Sequence, residues 1–204
     1  MGKLKMFQPA LLLTVLCLIV TLMLAATYEI TKDPIARQQA EASLLQKQEI
    51  FPDGKEFSNI ALSEVQVEAM AAKDIAALEI SAAKDAGGKV IGYVFVTSSR
   101  GYAGNVVATT GIDTQGKVIM VRAAAADDTP GLGKRVEEKS FQAQFSNLDT
   151  KVMTSVSAGS DTHKIDSISG ATISSRAASS AVNKAMGAYS YLLDEGVISS
   201  TTPG

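Results

Sequence analysis

The feature that most constrains this chain is an uncharged run at residues 10–26, which reads ALLLTVLCLIVTLMLAA. At a rise of ~1.5 Å per residue, a helix over this run is about 26 Å long. Extending it to residues 7–28 brings it near the ~30 Å thickness of a bilayer's hydrocarbon core. A helix in the core of a soluble protein would show a polar face, and this run has none. The run therefore predicts a transmembrane helix at residues 9–28.

The charges around this run indicate its orientation. Lys3 and Lys5 precede it, and residues 29–33 carry both signs of charge after it. Because cytoplasmic flanks of membrane helices are enriched in Lys and Arg, residues 1–8 are predicted to be cytoplasmic and the rest to lie outside. A cleaved signal peptide is the alternative, since the run has a basic start and a small-residue end. The run exceeds the ~7–15 apolar residues of a usual signal peptide, which favours a retained anchor.

Cysteine and histidine are scarce, which limits the chemistry that the chain can perform alone. It has one cysteine, Cys17 within the apolar run, and one histidine, His163. An intrachain disulfide needs two cysteines, and protein-bound zinc or iron–sulfur centres need several Cys or His ligands. The formal net charge is −2 and there is no basic stripe, so nucleic acid is not an expected partner. Any redox or transfer chemistry must therefore come from a cofactor.

The remainder of the chain has the pattern of an α+β domain. Residues 29–60 are predicted to be a helical connector, in which Pro34 opens a helix and a turn at residues 52–54 ends it. Residues 64–74 are predicted to form a short helix. Segments rich in β-branched and aromatic residues, separated by Gly and Asp turns, then predict an antiparallel sheet. Its strands are expected at residues 76–83, 89–97, 105–112 and 117–122.

A long helix is predicted to pack against this sheet. Apolar residues recur at helical spacing between Ile173 and Leu192, and Gly196 follows as a stop signal. Phe141 and Phe145 are expected in the core. The predicted fold class is therefore α+β, with one sheet backed by a long C-terminal helix after the N-terminal transmembrane helix. The expected boundaries are residues 61–198 for the extracytoplasmic domain and 199–204 for a tail.

A cluster of small and hydroxyl residues marks the predicted start of the long helix. Residues 166–175 read DSISGATISS. Gly170 allows the backbone to turn or to approach a ligand closely. Thr172 falls in the first helical turn, where N–H groups lack intrahelical partners and the helix dipole favours an anion such as phosphate. The alternative is simple capping, with Ser169 as the N-cap and the other hydroxyls in solvent.

A second candidate site is the loop at residues 128–134, which reads DTPGLGK. Its proline fixes one φ angle, and its two glycines permit backbone conformations closed to other residues, so the loop could lie against a flat ligand. The glycine spacing is not that of a Walker phosphate-binding loop. Tyr102, in the RGYAG turn at residues 100–104, could stack on a ring. Without a ligand, the loop would be a plain connection and Tyr102 would cover the edge of the core.

These motifs in this order resemble the G subunit of the Rnf complex, a membrane-bound ferredoxin:NAD oxidoreductase. They are also similar to the C subunit of the sodium-pumping NADH:quinone reductase. The shared features are the N-terminal anchor, the GYxG turn of Gly101, Tyr102 and Gly104, the TPGLG loop at residues 129–133 and the DxxSGAT motif at residues 166–172. Each motif alone is modest, but the four together extend over most of the chain.

The resemblance implies that FMN is attached to Thr172 through a phosphoester bond, installed by a separate flavin transferase that uses FAD as donor. The residues before Thr172 would present its hydroxyl to the transferase, and the serines after it would donate hydrogen bonds to phosphate oxygens. The GYxG turn and the glycine loop would lie near the flavin ring. The implied cofactor-binding residues are Asp166, Ser169, Gly170, Ala171, Thr172, Ser174, Ser175, Tyr102, Thr129, Gly131, Leu132, Gly133 and Lys134.

Two departures from the family pattern affect the site. The family often has glutamate before TPGLG and histidine a little earlier, whereas Asp128 and alanines stand here. A role that the family assigns to that histidine therefore has no matching residue here, and Asp128 reaches less far than glutamate. The turn GYAG also replaces the more usual GYGG or GYSG, with Ala103 as the changed residue.

The implied function is electron relay through the flavin, as one component of an ion-translocating complex with no substrate site of its own. Partner subunits would bind ferredoxin and NAD on the cytoplasmic side. Flavin chemistry suits a chain without catalytic Cys or His, because the cofactor carries the electrons and the protein supplies position and electrostatics. The alternatives are the equivalent quinone-reductase component, a membrane-anchored flavin-binding regulator, and an exported domain without flavin.

Overall fold

A computed structural model describes residues 2–157 and 162–200 and divides the chain into two compact units, residues 1–45 and 46–204. Helix α1, Gly2–Ile50, makes up the first unit, and its last turn belongs to the second. From Leu11 onward this helix is long and apolar enough to cross a membrane. Its large apolar side chains between residues 11 and 24 are exposed. Such a helix, apolar on every side, suits a lipid environment.

Pro34 lies inside α1 and does not open a separate helix. The predicted connector is helical as far as Ile50, but it is continuous with the apolar run. A proline has no N–H, so residue 34 cannot donate the usual helical bond to the carbonyl of residue 30. The sequence pattern detected two helical segments, and the structure joins them into one.

The second unit is built on an antiparallel sheet, as predicted, but the sheet has five strands and not four. Its strands lie in chain order, and each pairs with the next. Residues 60–76, which include a short helix, join the first two strands, and short turns join the others. Two hairpins turn in the same way: the carboxylates of Asp85 and Asp113 each accept two backbone N–H bonds of 2.8–3.0 Å from the turn that follows. The strands are β1 (Glu56–Asn59), β2 (Ala77–Lys84), β3 (Val90–Arg100), β4 (Asn105–Asp113) and β5 (Val118–Ala124).

Short helices and one small parallel pair of strands complete the unit. These elements are α2 (Glu64–Ala72), a 3-10 helix (Gly133–Glu137), α3 (Lys139–Gln142), a second 3-10 helix (Ala143–Phe145), β6 (Thr154–Ser155), β7 (His163–Lys164) and α4 (Thr172–Asp194). Strands β6 and β7 form the parallel pair, outside the main sheet. Of these elements the sequence predicted only α2 and the long helix α4.

Helix α4 packs on one face of the sheet and forms the main core. Its buried face is rich in alanine, and such small side chains let the helix axis approach the strands closely. The hydroxyl of Thr97 on β3, fully buried, therefore reaches the carbonyl oxygen of Ala181 at 2.7 Å. Phe141 and Phe145 are buried edge to face with their ring centroids 5.6 Å apart, which confirms their prediction as core residues.

The opposite face of the sheet is covered by the end of α1 and the residue after it. Ile50 and Phe51 form a small buried cluster with Ala83 and Val94. They fit because the strands carry glycines beneath them: a Cβ atom at Gly92 would lie 2.4 Å from the Phe51 ring, and one at Gly111 would lie 2.0 Å from Ile50. Burying side chains of this size contributes about 1.5–3 kcal/mol each.

Two polar contacts fix the same turn of α1 on the sheet. The ammonium group of Lys47, only 6% exposed, lies 2.5 Å from a Glu79 oxygen and 3.0 Å from the Ser81 hydroxyl. Glu49 accepts two hydrogen bonds from the Arg122 guanidinium. These bonds lower the pKa of Glu49 and raise that of Arg122, as expected for a bidentate pair.

Candidate functional site

The site is organised by the start of α4, which is not capped by a side chain. Its N-cap residue is Ala171, and among the described residues no side chain accepts a hydrogen bond there. Gly170, with φ of +78°, turns the backbone into the helix. Ser169 is not the N-cap, so the capping alternative for this residue is wrong. The N–H groups of the first turn consequently remain available as donors.

A cavity of about 500 Å³ opens beside this helix start. Its rim carries exposed apolar side chains from three segments, namely Tyr102, Leu132 and Ile173, and Thr172 is exposed there. The volume lies in the ~300–1,000 Å³ range of small-molecule sites. The lining residues are Tyr102, Asp128, Thr129, Leu132, Gly133, Gly170, Ala171, Thr172, Ile173 and Ser174.

Asp128 connects the three segments that surround this cavity. It is 5% exposed. One carboxylate oxygen accepts the N–H of Ala103 at 2.9 Å, and the other accepts the hydroxyl of Ser174 at 2.5 Å. The GYAG turn, the glycine loop and the first turn of α4 are thereby held together by one buried side chain.

The glycine loop has the shape that its sequence requires. Residues 129–132 form a turn closed by a bond from the Leu132 N–H to the Thr129 carbonyl oxygen, 3.2 Å long. Pro130 and Gly131 occupy its centre, and the φ of +79° at Gly131 suits the third position of a type II turn. Glycine is needed at residue 133 for a different reason. A Cβ atom there would lie 2.1 Å from a carboxylate oxygen of Asp128. The second glycine therefore makes room for the aspartate.

The structure brings most of the predicted site residues to this cavity. Gly131 and Lys134 line a shallower hollow next to it. Asp166 and Ser169 are exposed but do not line the cavity. The backbone N–H of Asp166 donates to the Gln144 side chain at 2.7 Å. The predicted residues that line the cavity are Tyr102, Thr129, Leu132, Gly133, Gly170, Ala171, Thr172 and Ser174.

The two serines after Thr172 have other partners than the predicted phosphate. Ser175 is fully buried, donates its hydroxyl to the Ala171 carbonyl at 3.0 Å and accepts the N–H of Ile168 at 3.1 Å. Ser174 lines the cavity, but its hydroxyl donates its hydrogen bond to the Asp128 carboxylate. The donors that remain for an anion at Thr172 are backbone N–H groups of the first helical turn.

The sequence did not assign two residues of the cavity to the cofactor site. Asp128 and Ile173 lie within the two candidate segments, but neither is among the cofactor-binding residues that the resemblance implies. Ile173 is half exposed at the rim. Its place at the cavity could have been expected from the sequence, because it directly follows the GAT motif. The partner of Asp128 was not detectable, since Ser174 lies 46 residues away in the sequence.

Comparison with known proteins assigns this geometry to a class. The FMN-binding domain family matches residues 101–187, a span that contains the GYAG turn, the glycine loop and the start of α4. The second compact unit is thus an FMN-binding domain, and an open helix start beside an apolar rim fits a ligand with a phosphate and a flat ring.

The particular family follows from relatives that match along most of the chain. The RnfG N-terminal region matches residues 1–50. The G subunit of the ion-translocating oxidoreductase complex of Haemophilus influenzae (strain PittEE) is 30% identical over an alignment of 187 positions, which covers 87% of each chain. The G subunit of the proton-translocating ferredoxin:NAD(+) oxidoreductase complex of Clostridium ljungdahlii is 29% identical, covering 85% of this chain and 86% of that protein. The chain belongs to the RnfG family, the G subunits of Rnf complexes.

A solved structure supports the fold. The C subunit of the Na(+)-translocating NADH-quinone reductase from Parabacteroides distasonis superposes with a TM-score of 0.51 at 16% identity, over 69% of this chain and 78% of that one. The α+β arrangement of an antiparallel sheet and a long helix is therefore shared with that protein.

Proposed function

We propose that this chain is the FMN-carrying electron-transfer component of an Rnf complex, with FMN joined through its phosphate to the hydroxyl oxygen of Thr172. The observation that carries the proposal is the exposed threonine in the first turn of a helix that no described side chain caps, at the edge of a ligand-sized cavity. The names of the relatives support membership of an ion-translocating oxidoreductase.

The attachment reaction places simple demands on the chain. The Thr172 oxygen forms a bond to the phosphorus of the FMN half of FAD, the pyrophosphate bond breaks, AMP leaves and the hydroxyl proton is lost. A separate flavin transferase is required, because the cavity holds no general base next to Thr172 among the described residues that line it other than Asp128, whose two oxygens are occupied. Thr172 is exposed, so a second protein can reach it.

The residues of the cavity have defined tasks once FMN is attached. The N–H groups at the start of α4 stabilise the remaining negative charge of the phosphodiester, an effect of about 0.3–1 kcal/mol at an exposed helix end. Tyr102, Leu132 and Ile173 offer apolar surface to the ring system. FMN itself supplies the redox chemistry, and the covalent link keeps it bound when other contacts loosen.

The direct test is the intact mass of the full chain after expression with the flavin transferase. We expect one FMN adduct in the wild type and none in Thr172→Ala, whose secondary structure should be unchanged because no described hydrogen bond of the fold uses that hydroxyl. Thr129→Ala is the matched control, since Thr129 lines the same cavity and should keep the adduct. Thr172→Ser should retain partial attachment. An unmodified wild type, or an adduct that survives in Thr172→Ala, would refute the assignment.

The proposed location follows from the apolar half of α1 and the lysines before it. Residues 1–8 would be cytoplasmic, residues 9–28 would cross the inner membrane, and the FMN-binding domain would lie on the extracytoplasmic side. Protease added to spheroplasts should digest the domain while a cytoplasmic marker stays intact. Complete protection of the domain would reverse this topology.

The quinone-reductase component and an anchored flavin-binding regulator would also carry FMN. Co-purification separates these alternatives. The Rnf assignment predicts that the affinity-tagged chain co-purifies with further membrane subunits, in a complex that reduces NAD with electrons from ferredoxin. Isolation of a flavinylated chain alone, under conditions that keep membrane complexes intact, would favour the regulator.

A further inference from the structure

Asp128 is the one described acidic side chain that lines the cavity, and its geometry is fixed. Both of its oxygens act as acceptors, one for the N–H of Ala103 and one for the hydroxyl of Ser174. This is the pattern of an ionised carboxylate, which has only acceptor sites. Among the ion pairs of residues 2–157 and 162–200, none includes Asp128.

The carboxylate is held against the glycine loop by its two hydrogen bonds. Gly133 leaves the space that the carboxylate fills, since a Cβ atom there would overlap Asp128 at three atoms within 2.7 Å. Burial to 5% exposure removes most of the water that would screen the charge. A negative charge is therefore built into the wall of the site at a constant position.

We propose that Asp128 sets the reduction potential of the flavin in this cavity. A fixed negative charge disfavours the addition of an electron to a group beside it, so Asp128 holds the potential below the value that the same site would have without the charge. The proposal rests on the proposed function, because it requires FMN on Thr172. It assigns Asp128 an electrostatic role in addition to its role in positioning the two loops.

The test is the midpoint potential of the flavin in the full, flavinylated chain, followed spectroscopically during reductive titration. Asp128→Asn removes the charge with almost no change of shape. Its amide oxygen can accept the N–H of Ala103, and its NH2 group can donate to the Ser174 oxygen. We expect the midpoint to rise. The matched control is Asp127→Asn: this neighbour is exposed, so solvent and salt screen the same change of charge, and the midpoint should shift much less.

A second variant, Ser174→Ala, should shift the midpoint potential in the opposite direction, and it remains informative if Asp128→Asn does not fold. Ser174→Ala keeps the charge and removes one of the two donors that stabilise it, so the midpoint should fall. The thermal unfolding midpoint of the flavin-free chain should fall as well, because one buried oxygen loses its partner. A purely structural role of Asp128 would loosen the site in both variants and shift both potentials in the same direction.

The outcomes distinguish this inference from the proposed function. A wild-type chain without an FMN adduct refutes the proposed function and the inference with it. Flavinylated Asp128→Asn with the potential of the wild type, or a shift no larger than that of Asp127→Asn, refutes the inference alone. A potential that rises in Ser174→Ala also refutes it.

Discussion

Two helices of the same domain begin in opposite ways. Helix α2 begins with a capping box: Ser63 accepts the N–H of Gln66, and the Gln66 side chain accepts the N–H of Ser63 at 3.0 Å. Helix α4 follows a segment with more hydroxyls, yet its N-cap is Ala171 and no described side chain caps it. The helix with few hydroxyls is closed by side chains, and the helix with many is left open.

The difference shows that the composition of a helix start does not reveal its use. At α2, the serine and glutamine satisfy donors that would otherwise face water, which stabilises a nine-residue helix. At α4, Ser174 and Ser175 are directed to Asp128 and to the backbone. The first-turn donors therefore face the cavity, where a bound phosphate can use them.

The largest expected effect on this contrast comes from Gly133→Ala. The added methyl would overlap Asp128, so the carboxylate must move and release Ala103 and Ser174. We expect a loss of about 1–3 kcal/mol in the free energy of unfolding, measured by urea titration of the full chain in detergent, and reduced flavin attachment. Gly131→Ala is the control for space alone, since nothing lies within 4 Å of its added Cβ atom. Its φ of +79° should by itself cost roughly 1–2 kcal/mol of stability, so the two variants are compared by flavin attachment. Attachment should survive in Gly131→Ala, and an equal loss of attachment in both variants would contradict the role of Asp128.

Gly170→Ala should have the next largest effect. Its φ of +78° costs roughly 1–2 kcal/mol in a residue with a side chain, and the new methyl would lie 3.2 Å from Leu132. The free energy of unfolding should fall by that amount, because the backbone turn rather than a cap starts α4. An unchanged stability would show that α4 can begin without this turn.

Paired serine substitutions compare the two helix starts directly. Ser63→Ala removes a capping box and should cost about 1 kcal/mol. Ser169→Ala, at an exposed residue that is not an N-cap, should change the free energy of unfolding by less than about 0.5 kcal/mol. Both values come from urea titrations of the flavin-free chain. Equal losses would mean that Ser169 caps α4 in solution, and the contrast between the helices would disappear.

The smallest effect on stability at neutral pH is expected from a change at Tyr189, near the C-terminal end of α4. Burial raises the pKa of Tyr189 to about 12, with smaller contributions from Asp113 and Tyr93, and within the described residues its hydroxyl has no hydrogen-bond partner. Because an unfolded tyrosine titrates near pH ~10, the folded state binds this proton more tightly. The stability that it contributes is fully present below pH ~10, and it is lost as pH rises toward ~12, by at most ~1.4 kcal/mol per pH unit.

Tyr189→Phe should remove this dependence. Its free energy of unfolding should differ from that of the wild type by less than about 1 kcal/mol near neutral pH, since no hydrogen bond is lost. The variant should become relatively more stable at about pH 11. Parallel curves for the two proteins between neutral and alkaline pH would contradict the raised pKa.

Much of the fold could be predicted because its elements carry local signals. The long helix was expected at residues 173–193 and spans Thr172–Asp194. The two central strands also lie close to their predicted positions. Strand β1 was missed because four residues at a sheet edge do not establish an alternating pattern. The single helix across Pro34 was missed because a pattern shows where a helix can begin, but not whether two helical segments join.

The site was predictable only as far as its residues are adjacent in the sequence. The DxxSGAT and TPGLG motifs could be read as separate units, but the hydrogen bonds that join them could not. Ser175 follows Thr172 closely and still faces the protein interior, where its hydroxyl bonds the Ala171 carbonyl and the Ile168 N–H. The sequence does not show that these backbone groups lie within its reach. The predicted roles of Asp166 and Ser169 toward the transferase stay predictions.

The glycines under Ile50 and Phe51 have a practical consequence for preparing the domain without its anchor. A soluble fragment that starts at residue 61 would lack β1 and the two side chains that cover Ala83 and Val94. It would present a bare apolar face to water and tend to aggregate. A truncation placed at or before Gln46 retains that cover, together with Lys47 and Glu49, and is the better starting point for electrochemistry in the absence of detergent.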